Sequence, residues 1–136
     1  MNGSTSTESG VLLDTNVVVG HLRAANGDIL SHLQSGHTLY MPIIVLGELY
    51  TGAYRGSLRT KTLREIQSFL TMVSIFQPDE ITADHYGQIQ AELAKTGTPI
   101  PQNDVWIAAL AREHRLPVAT RDGHFTLVPG LTVLNW

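Results

Sequence analysis

Four acids stand out as residues that could do chemistry together: Asp14, Glu48, Asp104 and Asp122. Asp14 ends the apolar run Val11-Leu12-Leu13, and Asp122 comes just after Val118-Ala119-Thr120. Both runs read as buried strands, and open parallel α/β sheets bind ligands beyond the carboxyl ends of their strands. Glu48 and Asp104 fall on predicted helices that a right-handed α/β topology can bring to the same edge. Glu48 is the only charged residue from Met41 to Ala53. A helix apolar nearly all round implies burial, so Glu48 is expected to be buried. A buried carboxylate needs a cation, a metal or a proton. Four carboxylates in one pocket would repel, and the cation that suits oxygen ligands is Mg²⁺ or Mn²⁺. Such a site can activate water and stabilise phosphoryl oxygens. Taken singly, each acid has a plainer reading. Asp14 and Asp104 could start helices, Asp122-Gly123 could be a turn, and Glu48 could pair with an arginine or lie on the surface.

Other chemistries lack their parts. The chain has no cysteine, which excludes disulfides, thiolate metal sites and a cysteine nucleophile. It has no Gly-x-x-x-x-Gly-Lys-Ser/Thr loop, no Gly-x-Gly-x-x-Gly fingerprint and no Gly-x-Ser-x-Gly elbow. Its six histidines show no His-x-x-x-His spacing and read as surface residues. Trp106 and Trp136 read as core packing rather than base-stacking platforms. An aspartyl-phosphate mechanism fits poorly: the position two after Asp14 is Asn16, and neither Lys61 nor Lys95 follows a predicted strand.

The elements that must position the acids follow from the pattern. The 136 residues suit one domain, and 43% hydrophobic with 15% charged residues excludes a disordered chain. Residues 1–10 read as a flexible polar tail without the features of a secretory signal, and residues 11–136 as one domain. No apolar stretch approaches the ~20 residues of a membrane span. Val17-Val18-Val19 could form a hairpin with the first strand, but a helix capped by Asp14 or Thr15 is the preferred reading. Strands are predicted at Val11–Leu13, Thr38–Met41, Met72–Phe76, Pro117–Thr120 and Leu131–Leu134. Helices are predicted near Ile29–Gln34, Ile43–Tyr54, Leu58–Leu70, Thr82–Lys95 and Asn103–His114, with a turn at Arg121-Asp122-Gly123. This alternation predicts a three-layer α/β/α domain with a mostly parallel central sheet.

These segments together resemble a known family. Val11-Leu12-Leu13-Asp14-Thr15-Asn16 resembles the opening of PIN-domain nucleases. Pro42-Ile43-Ile44-Val45-Leu46-Gly47-Glu48-Leu49 with Gly52-Ala53 resembles their glutamate-bearing segment, and Pro101-Gln102-Asn103-Asp104-Val105-Trp106-Ile107-Ala108-Ala109 the third. Val118-Ala119-Thr120-Arg121-Asp122-Gly123-His124-Phe125, then Val128-Pro129-Gly130-Leu131 and Trp136, resembles the close of VapC-type toxins.

The resemblance implies a cytoplasmic Mg²⁺- or Mn²⁺-dependent endoribonuclease. It would be the toxin of a type II toxin–antitoxin pair, inhibiting translation by cutting RNA. Asp14, Glu48, Asp104 and Asp122 match the family's acidic positions, at once catalytic and metal-binding. Asp14 and Asp104 match those most directly linked to the metal. Thr15, Asn16 and Thr120 match neighbouring polar positions that orient carboxylates or water. In-line attack by activated water would leave 5′-phosphate and 3′-hydroxyl ends, with Asp122 or Glu48 taking the proton. Arg121 and His124 border Asp122 and could contact an RNA phosphate. Partners implied are RNA, a VapB-type antitoxin and a second copy of the chain. A solitary PIN nuclease and an inactive PIN-like interaction module are the alternatives.

The charge balance fits this reading. Nine basic against 12 acidic residues give a formal net charge of −3, which argues against bulk electrostatic binding of nucleic acid. A nuclease is not excluded, because a third of the acids belong to the expected pocket.

Overall fold

The computed structural model describes residues 10–24 and 28–136. Residues 1–9 of the expected polar tail lie outside the described residues. The first strand, β1 (Gly10–Leu13), begins one residue earlier than expected and is buried along its whole length. Helix α1 (Thr15–Arg23) follows at once, with Asp14 as its N-cap. The three valines therefore turn into a helix rather than a hairpin. Val17 and Val18 bury one face of it, so tertiary packing overrides their strand preference. Helix α2 (Asp28–Gln34) leads to β2 (Thr38–Pro42), and helices α3 (Ile43–Arg55) and α4 (Arg59–Leu70) lead to β3 (Ser74–Phe76).

Helix α5 (Glu80–Thr96) starts with a capping box, in which the Asp79 carboxylate accepts from the backbone of Thr82 and Thr82 Oγ1 accepts from the backbone of Asp79. It stops at Gly97, whose φ of 68° needs a residue without a Cβ penalty. Helix α6 (Gln102–His114) starts behind Pro101, then β4 (Val118–Ala119), a short 3₁₀ turn (Gly123–Leu127) and β5 (Val133–Leu134) complete the chain. Sequence patterning does not foresee the 3₁₀ turn; it is anchored by the fully buried Phe125.

Among the described residues the five strands form one parallel sheet in the order β3-β2-β1-β4-β5. The chain moves from β1 out to β3, crosses back to β4 and moves out the other way to β5. Parallel connections are right-handed as a rule, and running them outward in both directions puts helices on both faces, the three-layer arrangement expected. The direction changes between β1 and β4, where Leu12 pairs with Val118 and Leu13 with Ala119. Adjacent parallel strands that leave in opposite directions open a crevice at their carboxyl ends. Asp14 stands there, its backbone N–H donating to the Ala119 carbonyl at 3.0 Å. The core beneath includes Leu12, Leu13, Met41, Phe69, Ile107 and Leu110, each less than 2% exposed. Trp136 packs on the edge of this core, whereas Trp106 stacks on Tyr86 with ring centroids 4.1 Å apart.

Candidate active site

Asp14 is the buried anchor of the crevice, at 4% exposure. Oδ1 accepts from the Thr15 backbone N–H at 2.7 Å, and Oδ2 accepts from Thr120 Oγ1 at 2.8 Å. Burial raises its pKa above the ordinary carboxylate value. The two hydrogen bonds oppose that rise, and the charges of Glu48 and Asp122 add to it.

Thr120 ties β4 to the same point. Its hydroxyl donates to Asp14 and accepts from the Asp122 N–H at 3.0 Å. Asp122 then caps the 3₁₀ turn, its Oδ1 accepting from the His124 N–H at 2.9 Å. This turn points the His124 ring back at the acids. Its Nδ1 lies 3.0 Å from Asp122 Oδ1 and 3.4 Å from Asp104 Oδ2. Asp104 comes from the first turn of α6, and its pKa is pushed up to about 6. Burial is the main cause, followed by the charges of Asp14 and Asp122, with His124 opposing them.

Three acids thus sit at helical starts: Asp14 before α1, Asp104 in the first turn of α6 and Asp122 before the 3₁₀ turn. Free N–H groups and the positive end of the helix dipole favour anions at such places. That offsets part of the cost of gathering carboxylates.

Glu48 departs from expectation. It is exposed, because α3 buries only Val45, Leu49 and Ala53 and leaves Gly47, Thr51 and Gly52 in solvent. Composition suggested a helix buried all round, but only one stripe is covered. An exposed carboxylate needs no compensating cation. Glu48 Oε1 instead accepts from Thr15 Oγ1 at 2.8 Å, which links it to the residue beside Asp14.

Asn16 Oδ1 accepts from the Arg121 N–H at 3.2 Å. Arg121 Nε donates to the Trp136 carbonyl at 2.8 Å, and its guanidinium lies over Gly20. A Cβ at Gly20 would meet Arg121 Nη1 at 3.5 Å, ordinary contact. Arg121 therefore braces α1 against the chain's last residues at the rim of the crevice. His124 stands inside the acidic cluster rather than at its border. It is also the histidine most open to solvent, since His21, His32, His37, His85 and His114 are half-buried rather than surface residues.

Among the described residues Asp104, Asp122 and His124 can each offer one ligand atom, all within 4.8 Å of one another. Asp14 and Glu48 lie outside that tight cluster, though both lie close enough for charge coupling. Carboxylate oxygens from separate elements, close enough that Asp122 acts on Asp14 and Asp104, are a donor set that fits a divalent cation. Sequence reasoning missed His124 as a member. The available signal was the Asp-x-His spacing: an aspartate that caps a tight turn brings the side chain two residues on back over itself.

An all-parallel sheet in this order with acids converging at its crossover defines a class, and the PIN-domain family model matches residues 11–131. The chain belongs to the PIN-domain family. It is 33% identical to Ribonuclease VapC2 of Haemophilus influenzae over 127 residues, covering 92% of this chain and 96% of that one. It is 30% identical to the tRNA(fMet)-specific endonuclease VapC of Shigella flexneri, again over 92% and 96%. Among solved structures, the DNA-bound VapBC of Salmonella typhimurium superposes with a TM-score of 0.84 at 29% identity, covering 92% of this chain and 96% of that one. No described helix is long and apolar enough to cross a membrane.

Proposed function

We propose that the chain is a divalent-metal-dependent endoribonuclease, the toxin of a VapBC-type pair, and that it inhibits translation in the cytoplasm by cutting RNA. The observation that carries the reading is the convergence of Asp14, Asp104 and Asp122 from three elements, close enough that the Asp122 charge acts on both Asp14 and Asp104 and the Asp14 charge acts on Asp104. The relatives named for ribonuclease and endonuclease activity match over nearly the whole domain.

Asp104 and Asp122 would hold the ion, Mg²⁺ or Mn²⁺, with Asp14 and Glu48 completing the site. When bound, the ion supplies Lewis acidity toward a phosphodiester and eases deprotonation of water. The remaining work falls to the chain. Thr120 holds Asp14 and Asp122 in register through one hydroxyl. Thr15 holds one oxygen of Glu48, so this exposed carboxylate stays oriented toward the crevice and can accept the proton that water loses. Asn16 fixes the backbone of Arg121. The two Nη nitrogens, which make no hydrogen bond to the described residues, are then at the rim to contact an RNA phosphate.

A groove of about 440 Å³ runs between α1, α3 and α4, past Glu48. Val19, Leu22, Leu49, Ala53 and Ile66 line it, with Arg23, Lys61 and Glu65 on its walls. An amphipathic helix of a VapB-type antitoxin would fit there and reach the acids from the Glu48 side, and solved VapBC complexes superpose on this fold. Ile43 and Tyr54, 37% and 56% exposed on α3, favour a homodimer as the working assembly.

The test is to incubate the purified protein with total RNA in Mg²⁺, in Mn²⁺ or in EDTA. Divalent-dependent cleavage leaving 5′-phosphate and 3′-hydroxyl ends is expected. Equal cleavage in EDTA, or none under any condition, would contradict the reading.

A further inference from the structure

The donor set at the crevice is not oxygen alone. We propose that His124 is a nitrogen ligand of the metal site, through Nδ1, and that it biases the site toward Mn²⁺ over Mg²⁺. The inference rests on the proposed metal-dependent reading and adds a ligand and an ion preference to it.

Three observations support it. Nδ1 lies 3.0 Å from Asp122 Oδ1 and 3.4 Å from Asp104 Oδ2, carboxylates contributed by different elements. Adjacent ligands around an octahedral ion bonded at about 2.1 Å stand about 3 Å apart, so these separations suit shared coordination. Second, the ring is placed by the backbone. The Asp122 carboxylate receives the His124 N–H at 2.9 Å and, with Thr126 Oγ1 donating to the Gly123 carbonyl at 2.7 Å, closes the turn that carries the imidazole. Third, the turn is anchored from below by Phe125, which is fully buried, so the backbone that carries the ring is held in place.

Imidazole is a softer donor than carboxylate or water. It suits first-row transition ions better than Mg²⁺, which binds oxygen and keeps its waters. The rival explanation is that His124 only donates a hydrogen bond to Asp122 and stands beside the ion rather than on it. The two differ in whether nitrogen touches the metal.

The experiment uses the full-length protein and Mn²⁺ as a spectroscopic probe. Pulsed electron paramagnetic resonance on the Mn²⁺-loaded protein should show nitrogen coupling to the metal, lost in His124→Ala. Calorimetric titration with Mn²⁺ and with Mg²⁺ should show the Mn²⁺ preference shrinking about tenfold or more in that variant. His124→Gln, which keeps a polar side chain of similar reach, should also lose the nitrogen coupling. Mn²⁺ bound without nitrogen coupling, and an ion preference unchanged in His124→Ala, would overturn the inference while leaving the metal site intact. No Mn²⁺ binding at all would overturn the metal-dependent reading and this inference with it.

Discussion

Asp14 and Glu48 are joined through Thr15, yet they are held in opposite ways. Asp14 ends a central strand, is buried, and has both oxygens satisfied by Thr15 and Thr120. Glu48 lies within α3, is exposed, and has one hydrogen bond, to Thr15. Sheet register fixes the first acid, and a single hydroxyl orients the second. A carboxylate at a strand end beside a helix start gets fixed geometry and partial charge compensation from the fold itself. A carboxylate on the open side of a helix keeps low desolvation cost and freedom to move. The first kind suits holding an ion, and the second suits a group that must change protonation.

That contrast can be broken at Asp104 with the largest effect. Asp104→Asn is expected to abolish divalent-dependent RNA cleavage. It should also change the pH response of the metal-free protein. Asp104 has its pKa raised from 3.8 to about 6, so the folded state holds the proton more tightly than the unfolded chain. Its contribution to stability is present in full below the unfolded value and is lost as pH rises through about 6. Thermal melts in EDTA should therefore show the wild type losing stability between about pH 4 and 6 relative to Asp104→Asn. Parallel curves would mean that neither burial nor the neighbouring acids raises the Asp104 pKa.

Glu48→Gln comes next. It removes the carboxylate proposed to take the proton, and cleavage should fall about 100-fold, with melting temperature unchanged because the residue is exposed. A stability loss there would show that Glu48 is structural. Thr120→Val follows. It keeps the shape of a buried side chain but removes the hydroxyl shared by Asp14 and Asp122. Cleavage should fall about 10–100-fold, as for partners that orient metal-binding groups. Stability should fall by about 1–3 kcal/mol because Asp14 loses a buried donor. Denaturant unfolding with single-turnover cleavage reads both.

Much of the fold was legible because the acids interrupt clear patterns. Val11-Leu12-Leu13 is apolar until Asp14, and the helix expected at Thr82–Lys95 ends before Gly97 as read, although its start at Glu80, capped by Asp79, lies two residues earlier. Four acids on the right elements were legible for the same reason. Two features were not. The α3 sequence is apolar enough to look buried all round, yet packing buries only Val45, Leu49 and Ala53 and leaves Ile44, Leu46 and Tyr50 half-buried beside them. His124 looked like a border residue because a 3₁₀ turn leaves little periodic signal, and its direction comes from the Asp122 side chain and the buried Phe125.

The weakest effect on cleavage is expected far from the crevice. Asp79→Ala removes the α5 cap, whose backbone hydrogen bonds hold the Asp79 carboxyl below its usual range. A modest drop in melting temperature with unchanged RNA cleavage is the expected pair of results, and a comparable loss of cleavage would show that the site depends on the whole α5–α6 seam.

The most direct test is the cleavage rate of folded Asp14→Asn on RNA in saturating Mn²⁺, measured beside the wild type. Asn keeps the shape and one acceptor oxygen, enough for only one of the two donors Thr15 N–H and Thr120 Oγ1, and removes the charge at the crossover of the sheet. The pocket account predicts a native circular dichroism spectrum and no divalent-dependent cleavage. A folded Asp14→Asn protein that cleaves at the wild-type rate would contradict it.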